Sequence, residues 1–136
     1  MRALGGAVRR AVRTAAGQEF LQWFGLLGAP LAWTVQLVLG FGVTEARCDA
    51  GSAQWGIGLD TWEISLMAAA GTIVLLAEAS AVGLYLLTRD VDYEGPPPLG
   101  RRRFFVTASS LGNVLFLAAI LLSGLAAVYH TPCQQS

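Results

Sequence analysis

Three long apolar runs organise the chain, and short polar segments separate them. The runs cover residues 20–44, 62–88 and 104–129. A helix rising about 1.5 Å per residue needs about 20 apolar residues to cross a hydrocarbon core about 30 Å thick, so each run is long enough. Backbone groups in lipid must hydrogen-bond within their own segment, so each run should be helical. The pattern therefore predicts an all-α integral membrane protein with three transmembrane helices.

Four polar segments frame these runs. Residues 1–18 contain four arginines, and their pattern fits either a short amphipathic helix at the membrane surface or a frayed basic tail. Residues 45–61 contain Gly, Asp and Ser and predict a loop. Residues 89–103 predict a second loop, in which three consecutive prolines interrupt any helix and three arginines follow. Residues 130–136 predict a short tail.

The composition agrees with a single membrane domain over residues 1–136. Hydrophobic residues make up 54% of the chain and charged residues 13%, which is about half the charged share of soluble domains. The mean hydropathy is +0.55. The formal net charge is zero, so no overall field attracts nucleic acid or another polyanion.

The arginines predict how the chain is oriented. All nine basic residues are arginines, and eight of them lie in residues 1–18 or 89–103, while only Arg47 follows the first run. The positive-inside rule therefore places the N-terminus and the proline-rich loop in the cytoplasm. The first loop and the C-terminal tail then lie outside, which requires an odd number of spans. We predict a multi-pass protein of a bacterial inner membrane.

Two cysteines, Cys48 and Cys133, follow the first and third runs, and both fall on the predicted outer side. Because that compartment is oxidising in a bacterium, we predict a disulfide between them, which would stabilise the fold by about 4 kcal/mol in the chain-entropy model. The alternative is a metal or haem site that also uses His130. Such a site lacks a fourth zinc ligand and any CxxC or CxxCH spacing, so we predict no metal and no cofactor.

Glu78 is an ionisable side chain deep inside an apolar run. It lies ten residues from the end of the second run, and Asn113 lies nine residues from the start of the third, so the two should be level in antiparallel neighbours. Ser109 and Ser110 stand one turn closer to the loop. We predict that Asn113 donates a hydrogen bond to Glu78. The carboxyl either exchanges a proton or ion or, as the missing basic partner favours, is a protonated group that holds two helices together.

Gln36 is a second polar group inside a run, and Thr72 and Ser123 should lie near its depth. An interhelical hydrogen bond of about 0.6 kcal/mol is the expectation. Small residues recur in all three runs and indicate close helix packing, within the chain or against a partner. They include Gly25, Gly28, Ala32, Ala70, Ala77, Ala81, Gly112, Ala119 and Gly124.

No constellation for catalysis is visible in the sequence. It has no Ser-His-Asp set, no phosphate-binding glycine loop and no cluster of metal ligands, so we predict that the protein is not an enzyme. Arg101, Arg102 and Arg103 are explained by the membrane topology, with binding of anionic lipid as an additional role.

Several short motifs carry a family resemblance. Residues 28–33 read GAPLAW, Gln36 and Cys48 follow, residues 101–104 read RRRF and residues 131–133 read TPC. In these motifs the chain resembles a group of small bacterial three-span membrane proteins that are often encoded near haem-copper terminal oxidase components. Related proteins carry a histidine near the position of Gln36, so the glutamine here argues against a haem ligand at that site. The resemblance implies a respiratory setting and no particular reaction.

The sequence supports two functional hypotheses. The first is a non-catalytic accessory or assembly subunit of a larger inner-membrane complex. The resemblance implies that this complex is a haem-copper respiratory oxidase. The partners would then be other membrane subunits and the lipid bilayer. The alternative is an oligomeric proton-coupled transporter or channel in which Glu78 is the exchanging group. A membrane enzyme or electron carrier is disfavoured, because the ligands that it needs are missing.

Overall fold

The computed structural model describes residues 14–48 and 58–129, and three helices account for most of them. Helix α1 covers Ala15–Cys48, α2 covers Leu59–Thr88 and α3 covers Leu99–Tyr129. Each helix is long and apolar enough to cross a membrane. The described residues contain no strand. The predicted fold class, all-α with three membrane-spanning helices, is confirmed.

The helices extend beyond the predicted spans. Helix α1 begins five residues before residue 20, and Thr14 caps it, since the Thr14 hydroxyl accepts a hydrogen bond from the Gly17 amide at 3.1 Å. The same helix continues to Cys48, so Glu45 and Arg47 are helical rather than part of the first loop. The apolar pattern marks the part that fits the lipid, whereas the helices continue into polar sequence on either side.

The arginine triplet also lies in a helix, contrary to the loop predicted over residues 89–103. Helix α3 begins at Leu99, directly after the prolines, and the Arg102 amide donates to the Pro98 carbonyl at 3.1 Å. Proline suits the start of a helix because its φ is already near the helical value, and arginine is a good helix former. The prolines therefore start α3 as well as ending the loop.

Some predictions fall on residues that the structure does not describe. These are the basic segment up to residue 13, residues 49–57 of the first loop, and the tail from residue 130, with His130 and Cys133. The N-terminal amphipathic helix and the partner of Cys48 therefore stay predictions.

Every pair of helices is in contact, and neighbours in sequence run antiparallel. A Cβ placed on Gly25 would lie 3.5 Å from Ala81, and one placed on Gly40 would lie 3.1 Å from a carboxylate oxygen of Glu63. Residues later in α1 therefore meet residues earlier in α2, so these two helices are antiparallel. Helices α1 and α3 are consequently parallel and start at the same end of the bundle.

Alanines make up half of the buried apolar residues in the described part of the chain, and many large apolar side chains lie on the outside. The buried cluster consists of Ala29, Ala32, Ala70, Val74 and Ile120. Many leucines, valines and phenylalanines are instead exposed on all three helices. This arrangement is expected in a bilayer, where lipid solvates large apolar groups and small residues let helix backbones approach closely.

Four of the five arginines in the described residues gather at one end of the bundle, which we call the basic end, and the fifth, Arg47, lies in the last turn of α1. The basic end consists of Gln18 near the start of α1, the connection over residues 89–98, and Arg101, Arg102 and Arg103 in the first turns of α3. A hydrogen bond of 2.5 Å from the Arg102 guanidinium to Gln18 Oε1 joins α3 to α1 there. The opposite end of the bundle, which we call the distal end, carries Cys48, Leu59 and Tyr129.

Candidate functional site

Glu78 lies between α2 and α3, where two side chains of α3 reach its carboxyl group. Ser110 Oγ is 2.5 Å from Glu78 Oε1, and Asn113 Nδ2 donates to Glu78 Oε2 at 3.2 Å. The contact expected between Asn113 and Glu78 is therefore present. Counting depth from the connecting loop was enough to find it, because both helices leave that loop at the same level.

The serine in this cluster is Ser110 rather than Ser109. Ser109 is buried, but its hydroxyl donates to the Phe105 carbonyl of its own helix at 2.6 Å. Most other serines and threonines of the three helices bond back to their own helix in the same way. Ser110 differs, since its hydroxyl reaches across to Glu78. The direction of the Ser110 hydroxyl thus indicates that the Glu78 carboxyl is the strongest hydrogen-bond acceptor within its reach.

The cluster lies at the edge of the bundle. Asn113 is 2% exposed, whereas Glu78 and Ser110 are half-buried. The carboxyl group therefore meets the interior at Asn113 and remains partly accessible from the outside of the bundle. A carboxyl at this depth is costly unless it is neutral or hydrogen-bonded, and the two donors reduce that cost.

The basic end holds a second set of polar contacts, which lie closer to the connecting loop than Glu78 does. The Arg103 side chain donates to the Val91 carbonyl and stacks over the Tyr93 ring, 4.3 Å from its centroid. The Tyr93 hydroxyl lies 3.3 Å from Thr107 Oγ1. Hydrogen bonds to the Tyr93 oxygen, mainly from Thr107 and then from Arg103, lower the pKa of Tyr93 from its usual 10.0. Arg101 is exposed to the surroundings. The contacts fasten the connecting loop to the start of α3.

Gln36 bonds to α3, but through the backbone. Its Nε2 donates to the Ile120 carbonyl at 3.3 Å, and Ser123 donates to the same carbonyl at 3.2 Å. The expected partner Thr72 instead bonds to its own helix. Because a carbonyl only accepts, the orientation of the Gln36 amide is fixed, and its Oε1 is left buried without a hydrogen bond. Gln36 therefore ties α1 to α3 and is not part of the Glu78 cluster.

Glu63 is a buried carboxylate that the sequence analysis did not single out. It is only 4% exposed and lies against the backbone of α1 at Gly40, where any side chain would meet its oxygens. Its position at the start of an apolar run suggests an exposed interfacial residue. The only signal for its burial is the glycine opposite, and the register of α1 against α2 is needed to see that the two positions meet.

An apolar groove runs along the outside of α1 and α2. It encloses about 500 Å³, and its lining is apolar apart from Gln36. The lining residues are Phe20, Trp23, Phe24, Leu27, Gly28, Leu31, Ala32, Val35, Gln36, Leu39, Leu66, Ala69, Ala70 and Ile73. The lining extends along α1 for 19 residues, or about 28 Å, which is close to the thickness of a hydrocarbon core. The groove is therefore about as long as a hydrocarbon core is thick.

Metal ligands do not gather anywhere in the described part of the chain. Within residues 14–48 and 58–129, no three His, Cys, Asp or Glu side chains are placed to hold an ion. Cys48 is the last residue of α1. Its predicted partner, Cys133, lies beyond the described residues, so the disulfide stays a prediction.

Comparison with known proteins adds no assignment. No protein-family model, curated protein or solved structure matches the chain. The function must therefore be argued from the geometry above.

Proposed function

We propose that the protein is a non-catalytic accessory or assembly subunit that docks onto another membrane protein through the groove of α1 and α2. The observation that carries the proposal is the groove itself, which is apolar and about as long as the bilayer is thick. A lone helix bundle has no packing reason to keep such a groove, whereas a transmembrane helix of a partner would fill it.

The lining of the groove suits a helix-binding surface. Its floor includes Gly28, Ala32, Ala69 and Ala70, which let a second backbone approach closely. Aromatic residues stand at the end near the start of α1, where Trp23 is 48% exposed. Small residues let a partner helix approach closely, and aromatic residues are enriched in protein interfaces.

The resemblance to small proteins encoded near haem-copper oxidases suggests an oxidase subunit as the occupant. The bacterial inner membrane and the cytoplasmic N-terminus belong to the same proposal, supported by the resemblance and the distribution of arginines.

The proposal is tested by site-specific photo-cross-linking in the native membrane. A photoreactive residue at Leu31, which is 59% exposed in the groove, should capture a subunit of an oxidase. The matched control is Leu122 on α3, which is 69% exposed outside the groove and should capture mainly lipid.

Mass spectrometry of the complex purified in mild detergent should then find the same subunit in stoichiometric amount. Equal capture from Leu31 and Leu122 would contradict the docking surface. A pure homo-oligomer would reject the accessory role and favour the transporter or channel.

A further inference from the structure

A polar stripe on α3 connects Glu78 to the basic end. Arg103, Thr107, Ser110 and Asn113 are spaced by four, three and three residues, so they share one face of the helix. Ten residues separate the first from the last, which corresponds to about 15 Å, or half of a hydrocarbon core. The stripe therefore leads from the basic end to the depth of Glu78.

The polar stripe lies on the basic side of Glu78, whereas on the distal side the buried side chain of Gln36 bonds to the Ile120 carbonyl, seven residues beyond Asn113 on α3. At the basic end, the Tyr93 hydroxyl and Thr107 lie 3.3 Å apart, so the stripe begins among groups in contact with water. Toward the distal end, the core next to Glu78 consists of apolar side chains, with Val74 and Ile120 fully buried. Next to Glu78, a proton would therefore meet polar side chains on the basic side and the apolar side chains of Val74 and Ile120 on the distal side.

The cluster can accommodate Glu78 with or without a proton. When the carboxyl is ionised, Ser110 and Asn113 both donate to it, as their distances of 2.5 and 3.2 Å allow. When it is protonated, Glu78 Oε1–H donates to Ser110 Oγ. The Ser110 hydroxyl then turns to the carbonyl one turn back on α3, as the neighbouring Ser109 does with Phe105. Rotation of one hydroxyl thus satisfies both states.

We propose that Glu78 is a reversible proton-binding site that exchanges with the aqueous phase at the basic end. The proton leaves Glu78 Oε1 through Ser110 Oγ and intervening water, and reaches bulk water near Tyr93, while the electron pair stays on the carboxylate. The site binds a proton in this way whether the chain is an accessory subunit or acts alone.

Charged groups around the route lie at its entrance. In the described residues, the titratable or charged groups on this side of Glu78 come from the start of α1, the last turns of α2, the loop and the start of α3, namely Glu19, Tyr85, Arg89, Asp90, Asp92, Tyr93, Glu94, Arg101, Arg102 and Arg103. None of them is hydrogen-bonded to the Glu78 carboxyl, which meets only Ser110 and Asn113. A pH response of Glu78 would therefore report its own proton.

The test uses the full chain, reconstituted in vesicles in one orientation that is read from a tag after Ser136. Dicyclohexylcarbodiimide crosses the bilayer and reacts with protonated carboxyl groups in apolar surroundings, and mass spectrometry then locates the adduct. Labelling of Glu78 should be lost when the pH is raised at the basic end. Raising the pH at the distal end should leave it unchanged.

Three outcomes would overturn the proposal: labelling that ignores the pH on both sides, labelling that follows the distal side, and no labelling at any pH. Ser110→Ala should slow the response to a pH jump, whereas Ser109→Ala, which removes a hydroxyl bonded within its own helix, should not. Glu78→Gln should remove the adduct, which separates it from labelling at Glu63. The measurement of sidedness needs only the native chain, so it holds if a variant fails to fold.

Discussion

Ser109 and Ser110 are neighbours in the sequence, yet only one of them touches Glu78. A helix turns about 100° per residue, so the two serines lie on opposite sides of the line through Asn113 and are about equally close to it. Residue counting therefore predicted the level of Glu78 and Asn113 but could not tell which of the two serines reaches the carboxyl group. The choice depends on how α3 is rotated against α2, which follows from the packing of all three helices.

Asn113→Leu should destabilise the bundle by about 1–2 kcal/mol, because it leaves one oxygen of Glu78 without a donor at a buried position. Glu78→Gln should cost less, since its amide oxygen can still accept from Asn113 while its NH2 group donates to the Ser110 hydroxyl. The free energy of unfolding in bicelles measures both changes. Ser109→Ala is the control and should stay near the native value. An equal loss in Ser109→Ala and Asn113→Leu would show that Glu78 gains nothing specific from the amide.

Tyr93 gives a prediction at the basic end. Its pKa lies below 10.0, chiefly because Thr107 hydrogen-bonds its oxygen and favours the phenolate. Since the folded pKa is lowered, this contribution to stability is largest above the unfolded pKa and disappears as the pH falls through the folded pKa.

Tyrosinate absorbance during an alkaline titration should show one early step in the native chain. That step should move to higher pH in Thr107→Val. An unchanged step would mean that the loop is not fastened to α3 through this hydroxyl.

At the level of the helices, the sequence predicted their number and type and misjudged where they end. The apolar runs report the lipid-facing length, and no signal in them shows that Thr14 caps α1 or that α1 continues to Cys48. The arginines of α3 were assigned to the loop because charge and proline both suggest irregular structure. Helix propensity favoured the other outcome, since Leu99 follows the last proline at once.

Helix contact at Gly28 is the feature to test at this level. A Cβ there would lie 3.1 Å from the Cβ of Ala77, so Gly28→Leu should force α1 and α2 apart. We expect a loss of about 2 kcal/mol or more, as for other overpacked contacts. Gly83→Leu is the matched control, because a Cβ at Gly83 meets nothing within 4 Å. A thermal unfolding series in detergent compares them, and equal midpoints would argue against this α1–α2 contact.

At the scale of the whole molecule, the groove and the burial of Glu63 could not be read from the sequence. Both depend on the register between α1 and α2, which sets the glycine of one helix against the carboxylate of the other. The pattern of apolar residues is uniform around these helices, so it does not show which side packs and which side stays open. Only the small residues pointed to contact, without saying with which helix.

The orientation and the disulfide are predicted for the whole chain together. A reporter enzyme that works only outside the cytoplasm should be active when it is fused after Ser136. Alkylation of the unfolded, unreduced protein should leave its mass unchanged, and reduction should expose two thiols, those of Cys48 and Cys133. An inactive reporter would place the C-terminus in the cytoplasm. That result would reverse the predicted orientation and remove the reason to expect the disulfide. Alkylation without reduction would exclude the bridge directly.

The small-residue core has an evolutionary consequence. In a water-soluble protein, substitutions that enlarge surface residues are accepted and those that shrink interior ones are harmful. Here the interior side chains of Ala29, Ala32 and Ala70 are already small. Substitutions that enlarge these side chains should therefore be the harmful ones. Leucine, valine and phenylalanine on the outside can replace one another freely. Drift within this protein should therefore exchange bulky residues readily while each interior alanine or glycine stays nearly fixed.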